Sequence, residues 1–276
     1  MAIVINPISP VAFSLFGVPV RWYALAYIFG FVLGFYLFKY LVTRNDSQIR
    51  LNKKQMDDFL TMIVIGVIIG GRLGYVLFYN LSYFIENPLE IFAVWHGGMS
   101  FHGGLLGVIG ACILFIVMQK FPKKSIMETS LRMMDLMAVV APIGLGLGRI
   151  ANFINMEIMG RVTDSPLGVI FVGGPQIPRH PSPLYEAVLE GVVLLVIMWL
   201  LYNKTNLKKY PGALGGILCM IYAVFRIFCE QFRQPDTQIG FLTSWGLTMG
   251  QLLSGAVFVL GAVVLYRALR KKSETI

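Results

Sequence analysis

Residues 59–80 read FLTMIVIGVIIGGRLGYVLFYN, an apolar stretch in which Arg72 is the one charged residue. A bilayer core of about 30 Å takes about 20 apolar residues to cross as a helix. The stretch therefore predicts a transmembrane helix that carries a single arginine. Other segments share its length and composition, so we predict about seven spans, at 20–41, 59–80, 98–119, 134–154, 183–202, 212–230 and 247–268.

The composition of the whole chain is typical of a protein embedded in a lipid bilayer. Of the 276 residues, 57% are hydrophobic and 13% are charged, and the mean hydropathy is +0.72, whereas soluble domains carry about 25% charged residues. We therefore predict an all-α integral membrane protein, with residues 1–276 forming a single polytopic transmembrane domain. The turn sequences Asp164-Ser-Pro and Gly173-Gly-Pro predict a folded periplasmic loop subdomain at 156–182, between the fourth and fifth helices.

The basic residues alternate along the chain in a way that predicts its orientation. Every lysine falls in the first, third or fifth connection, within a few residues of one, or in the carboxy-terminal tail. These positions are 39, 53, 54, 120, 123, 124, 204, 208, 209, 271 and 272. Because basic loops stay in the cytoplasm, we expect a periplasmic amino terminus and a cytoplasmic carboxy terminus. This bias also accounts for most of the net charge of +9, so we expect no nucleic-acid partner.

Polar side chains form stripes on three of the predicted helices. Arginine inside a membrane is costly, and such residues generally face a partner or a wet cavity. At helical spacing the stripes comprise Arg72, Tyr75 and Tyr79 on the second helix, Arg149, Asn152 and Asn155 on the fourth, and Tyr222, Arg226, Glu230 and Arg233 on the sixth. We expect them to converge on a cavity that opens towards the periplasm. The alternative is a structural network in which the arginines pair with internal carboxylates such as Glu157, Glu186, Glu190 and Glu230.

Other chemistries find less support in the sequence. His102 lies among glycines on the outer side, and its imidazole could accept a proton near neutral pH. The histidines do not have the spacing of metal ligands, so we expect no metal and no cofactor. The glycine run from Gly144 to Gly148 lacks the preceding strand of a dinucleotide-binding loop. Glycines at 66, 70 and 74 and at 103 and 107 instead predict close helix packing.

Residues 148–160 read GRIANFINMEIMG, which resembles the signature of the bacterial prolipoprotein diacylglyceryl transferases, G-R-x-A/G-N-F-x-N-x-E-x-x-G. The resemblance extends through 21–25, 70–80, 96–104, 179–186 and 225–235, which covers nearly the whole chain. Met156 and Met159 stand where many members have glycine and tryptophan, at variable positions of the pattern.

The resemblance implies an enzyme of the bacterial inner membrane that acts at the periplasmic side. It would transfer the diacylglyceryl group of phosphatidylglycerol to the lipobox cysteine thiol of a preprolipoprotein signal peptide, releasing glycerol phosphate. On this hypothesis Arg149 and Arg226 bind the phosphate and His102 is the general base. The other expected lipid-binding residues are Asn152, Glu157, Gly160, Tyr23, Arg72, Tyr75, Tyr222, Glu230 and Arg233.

The sequence leaves two alternative functions open, and within the favoured hypothesis it leaves open which residue accepts the thiol proton. A transporter or channel for an anion would also place arginines within helices, but the sequence shows no internal repeat. A transferase acting on an acyl ester would share the polar stripes. Within the favoured hypothesis, a tyrosine or a carboxylate assisted by arginine could accept the thiol proton in place of His102.

Overall fold

The computed structural model describes residues 2–119, 126–235, 240–244 and 246–273, and it leaves the side chains at 96, 101 and 271–273 undescribed. Lys120, Lys123 and Lys124, on which part of the orientation argument rests, lie outside the described residues. The chain folds as two compact units, of which the first comprises residues 1–38 and 135–276 and the second residues 39–134.

The described part of the chain is mainly helical and contains four short strands. In chain order the elements are β1 (Ile3–Ile5), β2 (Val11–Leu15), β3 (Val18–Arg21), α1 (Trp22–Thr43), α2 (Lys53–Tyr79), α3 (Leu81–Glu86), α4 (Phe101–Met118), α5 (Ile126–Ile154), β4 (Val169–Phe171), α6 (Ser182–Glu186), α7 (Leu194–Lys204), α8 (Ala213–Cys229) and α9 (Met249–Ser273). A π-helical turn, Ala187–Val193, makes α6 and α7 one continuous helix. Short 3-10 turns lie at Pro88–Phe92, Val94–His96 and Leu207–Lys209.

The membrane class predicted from the sequence is confirmed. Among the described residues, five helices are long and apolar enough to cross a bilayer: α1, α2, α5, the continuous helix Ser182–Lys204, and α9. The apolar helices His102–Met118 and Ala213–Cys229 are shorter. Each of the seven predicted segments therefore coincides with an apolar helix, while the number that cross the membrane stays a prediction.

Glycines determine how closely helices pack in the second unit, as the sequence predicted. A Cβ added at Gly107 would collide with the carbonyl oxygen of Gly66, and one at Gly103 with that of Gly70. The backbones of α2 and α4 therefore touch along this face. Phe59 and Phe115 pack edge to face between the same helices, with ring centroids 5.1 Å apart.

Two contacts fix the helices of the first unit that carry the polar residues. A Cβ at Gly191 would lie 2.6 Å from Cα of Gly146, so α5 and the π-helical turn approach backbone to backbone. The buried carboxylate of Asp135 accepts hydrogen bonds from the backbone N–H groups of Gly212, at 2.7 Å, and Gly215, at 2.8 Å. This carboxylate stabilises the positive amino-terminal end of α8.

Residues 156–182 have a defined fold that includes the amino-terminal strand. β1 pairs with β4 in parallel, with Val4 opposite Ile170, and Arg179 pairs with both Val162 and Val169. β2 and β3 form a separate antiparallel hairpin. These strands have three to five residues, too few for an alternating pattern to predict them. The periplasmic position of this region stays a prediction.

Candidate functional site

The centre of the first unit contains ion pairs that link α5, the α6–α7 helix and α8. Glu186 is fully buried, and one of its oxygens, Oε2, lies 2.8 Å from Nε of Arg149. Its other oxygen, Oε1, lies 2.9 Å from Nη1 of Arg226 and 3.7 Å from Nη1 of Arg233. A single carboxylate therefore interacts with three arginines, which lie on α5, on α8 and in the segment after α8.

Glu190 adds a second carboxylate beside Arg149. It is 0% exposed, and its Oε2 accepts a hydrogen bond of 3.3 Å from Nε of Arg149. Glu186 and Glu190 are four residues apart, which places them on one face of the helix. Glu190 lies within the π-helical turn, and such turns are frequent at functional sites.

Glu230 connects these pairs to the start of α9. Its Oε2 lies 2.7 Å from Nη2 of Arg226, and its Oε1 accepts a hydrogen bond of 3.1 Å from the hydroxyl of Thr248. A Cβ at Gly250 would lie within 2.9 Å of the Glu230 carboxylate, so a glycine there lets α9 approach it. We call the side chains of Arg149, Glu186, Glu190, Arg226, Glu230 and Arg233 the charge network.

Arg149 and Arg226 differ in how much of each guanidinium the network uses. Both close approaches of Arg149 to carboxylates use Nε, and its two amino groups make no hydrogen bond with any residue in the described ranges. Arg226 contacts Glu186 through Nη1 and Glu230 through Nη2. The Arg149 side chain is 18% exposed, so its paired amino groups are available to a planar or tetrahedral anion.

The segment after α5 holds Glu157 between two amides. Its oxygens accept hydrogen bonds from Nδ2 of Asn152, at 3.0 Å, and from Nδ2 of Asn155, at 3.3 Å. Glu157 itself is exposed, and its neighbours Met156 and Ile158 have φ of +56° and +57°. Left-handed backbone is strained for such side chains, most of all for β-branched isoleucine. A glycine at position 156 would adopt this backbone conformation without that strain.

Gly160 is needed for backbone packing. A Cβ there would collide with the carbonyl oxygens of His180 and Phe232. The N–H of Gly160 donates to the carbonyl of His180 at 2.9 Å, and its own carbonyl accepts from Nη1 of Arg179 at 3.0 Å. Arg161 donates through Nε to the carbonyl of Arg233 at 3.0 Å. These contacts fix the segment that carries Arg233, and the role of Gly160 in binding lipid stays a prediction.

In the second unit, Arg72 is buried and binds backbone. Its Nε donates to the carbonyl of Ile91 at 2.9 Å, and Nη1 donates to the carbonyls of Gly97 and Gly98 at 2.5 and 3.2 Å. Its guanidinium also lies over the ring of Phe84, 5.0 Å from the centroid. These contacts order the connection between α2 and α4, and the expected role of Arg72 in binding the lipid headgroup stays a prediction.

His102 and Tyr75 also belong to the second unit. His102 is exposed in the first turn of α4, a helix that Ser100 caps by accepting a hydrogen bond of 3.2 Å from the N–H of Gly103. Tyr75 stacks on Tyr79 with ring centroids 5.7 Å apart. A Cβ at Gly98 would lie 2.5 Å from the Tyr75 ring, which explains the glycine before this helix.

The two other predicted tyrosines lie in the first unit. Tyr222 on α8 interacts electrostatically with Glu190 and Arg149, so it borders the charge network. Tyr23, in the first turn of α1, packs against Tyr27 with centroids 5.3 Å apart.

The structure joins two of the three predicted polar stripes. Those of α5 and α8 meet through Glu186, whereas the stripe of α2 lies in the second unit and its convergence stays a prediction. Glu186 and Glu190 were expected only as structural partners, and Thr248 and Gly250 were missed because no helical spacing relates α9 to Glu230. The signal for the two glutamates was present in the sequence, since acids four residues apart within an apolar helix generally pair with cations or face a wet cavity.

Comparison with known proteins gives a consistent result. A family model described as prolipoprotein diacylglyceryl transferase matches residues 10–267. A protein of Azospirillum brasilense named phosphatidylglycerol–prolipoprotein diacylglyceryl transferase is 48% identical over 274 residues, 98% of each chain. Proteins of the same name from Desulfotalea psychrophila and Rhodospirillum rubrum are 44% and 46% identical, over 97% and 96% of this chain and 96% and 94% of theirs. Together with the apolar helices, these matches show that the chain is a multi-pass membrane protein of the prolipoprotein diacylglyceryl transferase family.

Proposed function

We propose that this protein transfers the diacylglyceryl group of phosphatidylglycerol to the thiol of a lipobox cysteine in a preprolipoprotein. The names and full-length similarity of the relatives support this activity. The geometry adds the observation that carries our assignment of the site: Nε of Arg149 is held by two buried carboxylates, while its amino groups have no hydrogen-bond partner among the described residues. A fixed guanidinium with both amino groups available matches a lipid phosphate.

In the proposed reaction the cysteine sulfur forms a bond to the glycerol carbon that bears the phosphate. The carbon–oxygen bond to the phosphate breaks, and its electron pair stays on the phosphate oxygen of glycerol phosphate. Arg149 stabilises the developing negative charge directly, and Arg226 contributes charge while Glu186 and Glu230 hold it in place. Asn152 lies one helical turn from Arg149 and borders the same site.

The thiol must lose its proton to become an effective nucleophile, because its ordinary pKa is about 8.5. We propose His102 as the base, on the chemistry of imidazole and on its sequence motif. We also propose that the enzyme lies in the bacterial inner membrane with its site open to the periplasm, which agrees with the distribution of lysine.

The direct test incubates the purified protein with phosphatidylglycerol and a lipobox peptide, followed by mass analysis of the peptide. We expect the mass of a diacylglyceryl group on cysteine and no modification of a peptide with serine in its place. Equal modification of the serine peptide would refute a thiolate step. A single acyl chain on the peptide would instead indicate an acyltransferase, and uptake of an anion into liposomes without peptide modification would indicate a transporter.

A further inference from the structure

The formal charges of the network cancel. Three arginines, Arg149, Arg226 and Arg233, face three glutamates, Glu186, Glu190 and Glu230, within the contacts described above. The carboxylates of Glu186 and Glu190 are 0% exposed and that of Glu230 is 5% exposed. The network as it stands therefore has no net positive charge with which to attract an anion.

A lipid phosphodiester brings one negative charge to this site. In a poorly solvated environment an uncompensated charge is costly, and a buried ionisable group generally changes its protonation state to avoid it. Neutralising one carboxylate would give the network one positive charge, which balances the phosphate. The question is then which of the three glutamates binds the proton.

The contacts single out Glu190. Both oxygens of Glu186 lie within 2.9 Å of an arginine nitrogen, and Glu230 has Arg226 on one oxygen and Thr248 on the other. Each of the three glutamates has one oxygen without a hydrogen-bond donor in the part of the chain that the structure describes, but in Glu186 and Glu230 that oxygen lies 2.8 and 2.7 Å from an arginine nitrogen. In Glu190 the oxygen without a donor is Oε1, and the ion pair with Arg149 is longer, at 3.3 Å, and uses Oε2. Protonating Glu190 would therefore weaken fewer close contacts with arginine than protonating Glu186 or Glu230.

The neighbours of Glu190 favour the same assignment. The charged and titratable groups that interact with it are Arg149 on α5, Glu186 on its own helix, and Tyr222, Arg226 and Cys229 on α8. Glu186 repels the ionised form of Glu190, and an anion bound to Arg149 would repel it further. Protonation also turns the carboxyl group from an acceptor into an O–H donor that can bind a phosphate oxygen.

We propose that Glu190 binds one proton when the phosphate of phosphatidylglycerol enters the charge network, and releases it when glycerol phosphate leaves. This inference rests on the proposed function, since it takes the substrate to be an anionic lipid. The proton comes from solvent and returns to it, so no other reactant is required. Glu190 then makes lipid binding depend on pH.

Binding of phosphatidylglycerol to the full-length protein in phosphatidylcholine nanodiscs tests the proposal. At pH values where Glu190 is ionised in the lipid-free protein, we expect the Kd to rise by up to tenfold for each unit by which the pH is raised. This is the slope expected when binding takes up one proton. Glu190→Gln should bind with an affinity that does not change with pH, and Glu190→Asp should keep the slope. Glu86→Gln, at an exposed glutamate, is the matched control and should keep it too. A flat wild-type profile, or a slope that persists in Glu190→Gln, would overturn the proposal.

A second measurement needs no variant and covers the case in which Glu190→Gln fails to fold. An infrared difference spectrum of the wild-type protein, recorded on adding phosphatidylglycerol, should gain the C=O band of a protonated carboxylic acid that shifts in deuterium oxide. Absence of the band would overturn the inference. Peptide lipidation is assayed in the same preparation: its absence would count against the proposed function, whereas lipidation without proton uptake would count against the role of Glu190 alone.

Discussion

Oε2 of Glu186 lies 2.8 Å from Nε of Arg149, at the point where α5 meets the α6–α7 helix. The other oxygen of the same carboxylate is 2.9 Å from Arg226 on α8. Glu186 thus sets the distance between the two arginines that we assign to the phosphate. The helices reach this arrangement because Gly146 and Gly191 let their backbones touch beside the ion pairs.

Replacing Glu186 by glutamine should impair both stability and activity. The substitution removes the buried carboxylate that Arg149, Arg226 and Arg233 share, and breaking a buried pair costs roughly 3–5 kcal/mol. We expect a lower melting temperature in detergent and a loss of transfer on the order of 100-fold, as when a preorganised electrostatic group is removed. Glu86→Gln is the surface control. Wild-type melting and activity in Glu186→Gln would show that the shared carboxylate is dispensable.

Arg149→Lys should lose activity while the protein remains folded. Lysine can pair with Glu186 and Glu190, but its ammonium group cannot offer two parallel donors to a phosphate. We expect a decrease in kcat/KM of about 100-fold or more, with a melting temperature close to that of the wild type. Arg44→Lys, at an arginine that pairs with Asp46 outside the site, should keep full activity. Full activity of Arg149→Lys would show that Arg149 acts through its positive charge alone.

The sequence predicted this site in part because helical spacing is a strong signal. Arg149 and Arg226 were placed on polar stripes that do meet, and the membrane class followed from composition alone. Arg72 shows the limit of that reasoning, since an intramembrane arginine can bind carbonyl groups as well as a ligand. Only the fold shows that the connection at 90–98 brings its carbonyl oxygens to that guanidinium.

The contacts made by short strands and by single glycines could not be predicted. β1 and β4 are separated by more than half of the chain, and neither is long enough to show a periodic pattern. In the sequence Gly250 looks like an ordinary helical glycine, and only the fold shows that the carboxylate of Glu230 lies against it. The two compact units likewise leave no mark in the composition, because both consist of apolar helices.

Met156→Gly should stabilise the protein. The residue adopts φ of +56°, and left-handed backbone costs roughly 1–2 kcal/mol for a side chain with a Cβ, part of which glycine offsets by its greater freedom when unfolded. We expect the free energy of unfolding to rise by about 1 kcal/mol, measured by chemical denaturation in mixed micelles. Met159→Gly is the matched control, because Met159 is not among the described residues with positive φ, and it should destabilise. Equal effects of the two substitutions would contradict the strain at Met156.

Stability should decrease in mild acid through His180. Burial lowers the pKa of this imidazole below its usual 6.5, and its Nδ1 lies 3.2 Å from the hydroxyl of Tyr185. Between the folded and unfolded pKa values the unfolded chain binds more protons, so the free energy of unfolding falls as pH drops below about 6.5. Melting curves at several pH values should show this decrease in the wild type and a smaller one in His180→Phe. The same decrease in both proteins would assign it to other groups.

The most direct measurement of the central claim follows two labels in one phosphatidylglycerol molecule, one in the acyl chains and one in the phosphate. If the thiol attacks the glycerol carbon while the charge network holds the phosphate, both acyl chains will move to the lipobox peptide. All of the phosphate label will then appear in water-soluble glycerol phosphate. A peptide that carries one acyl chain, with the phosphate label retained in a lysolipid, would contradict the account.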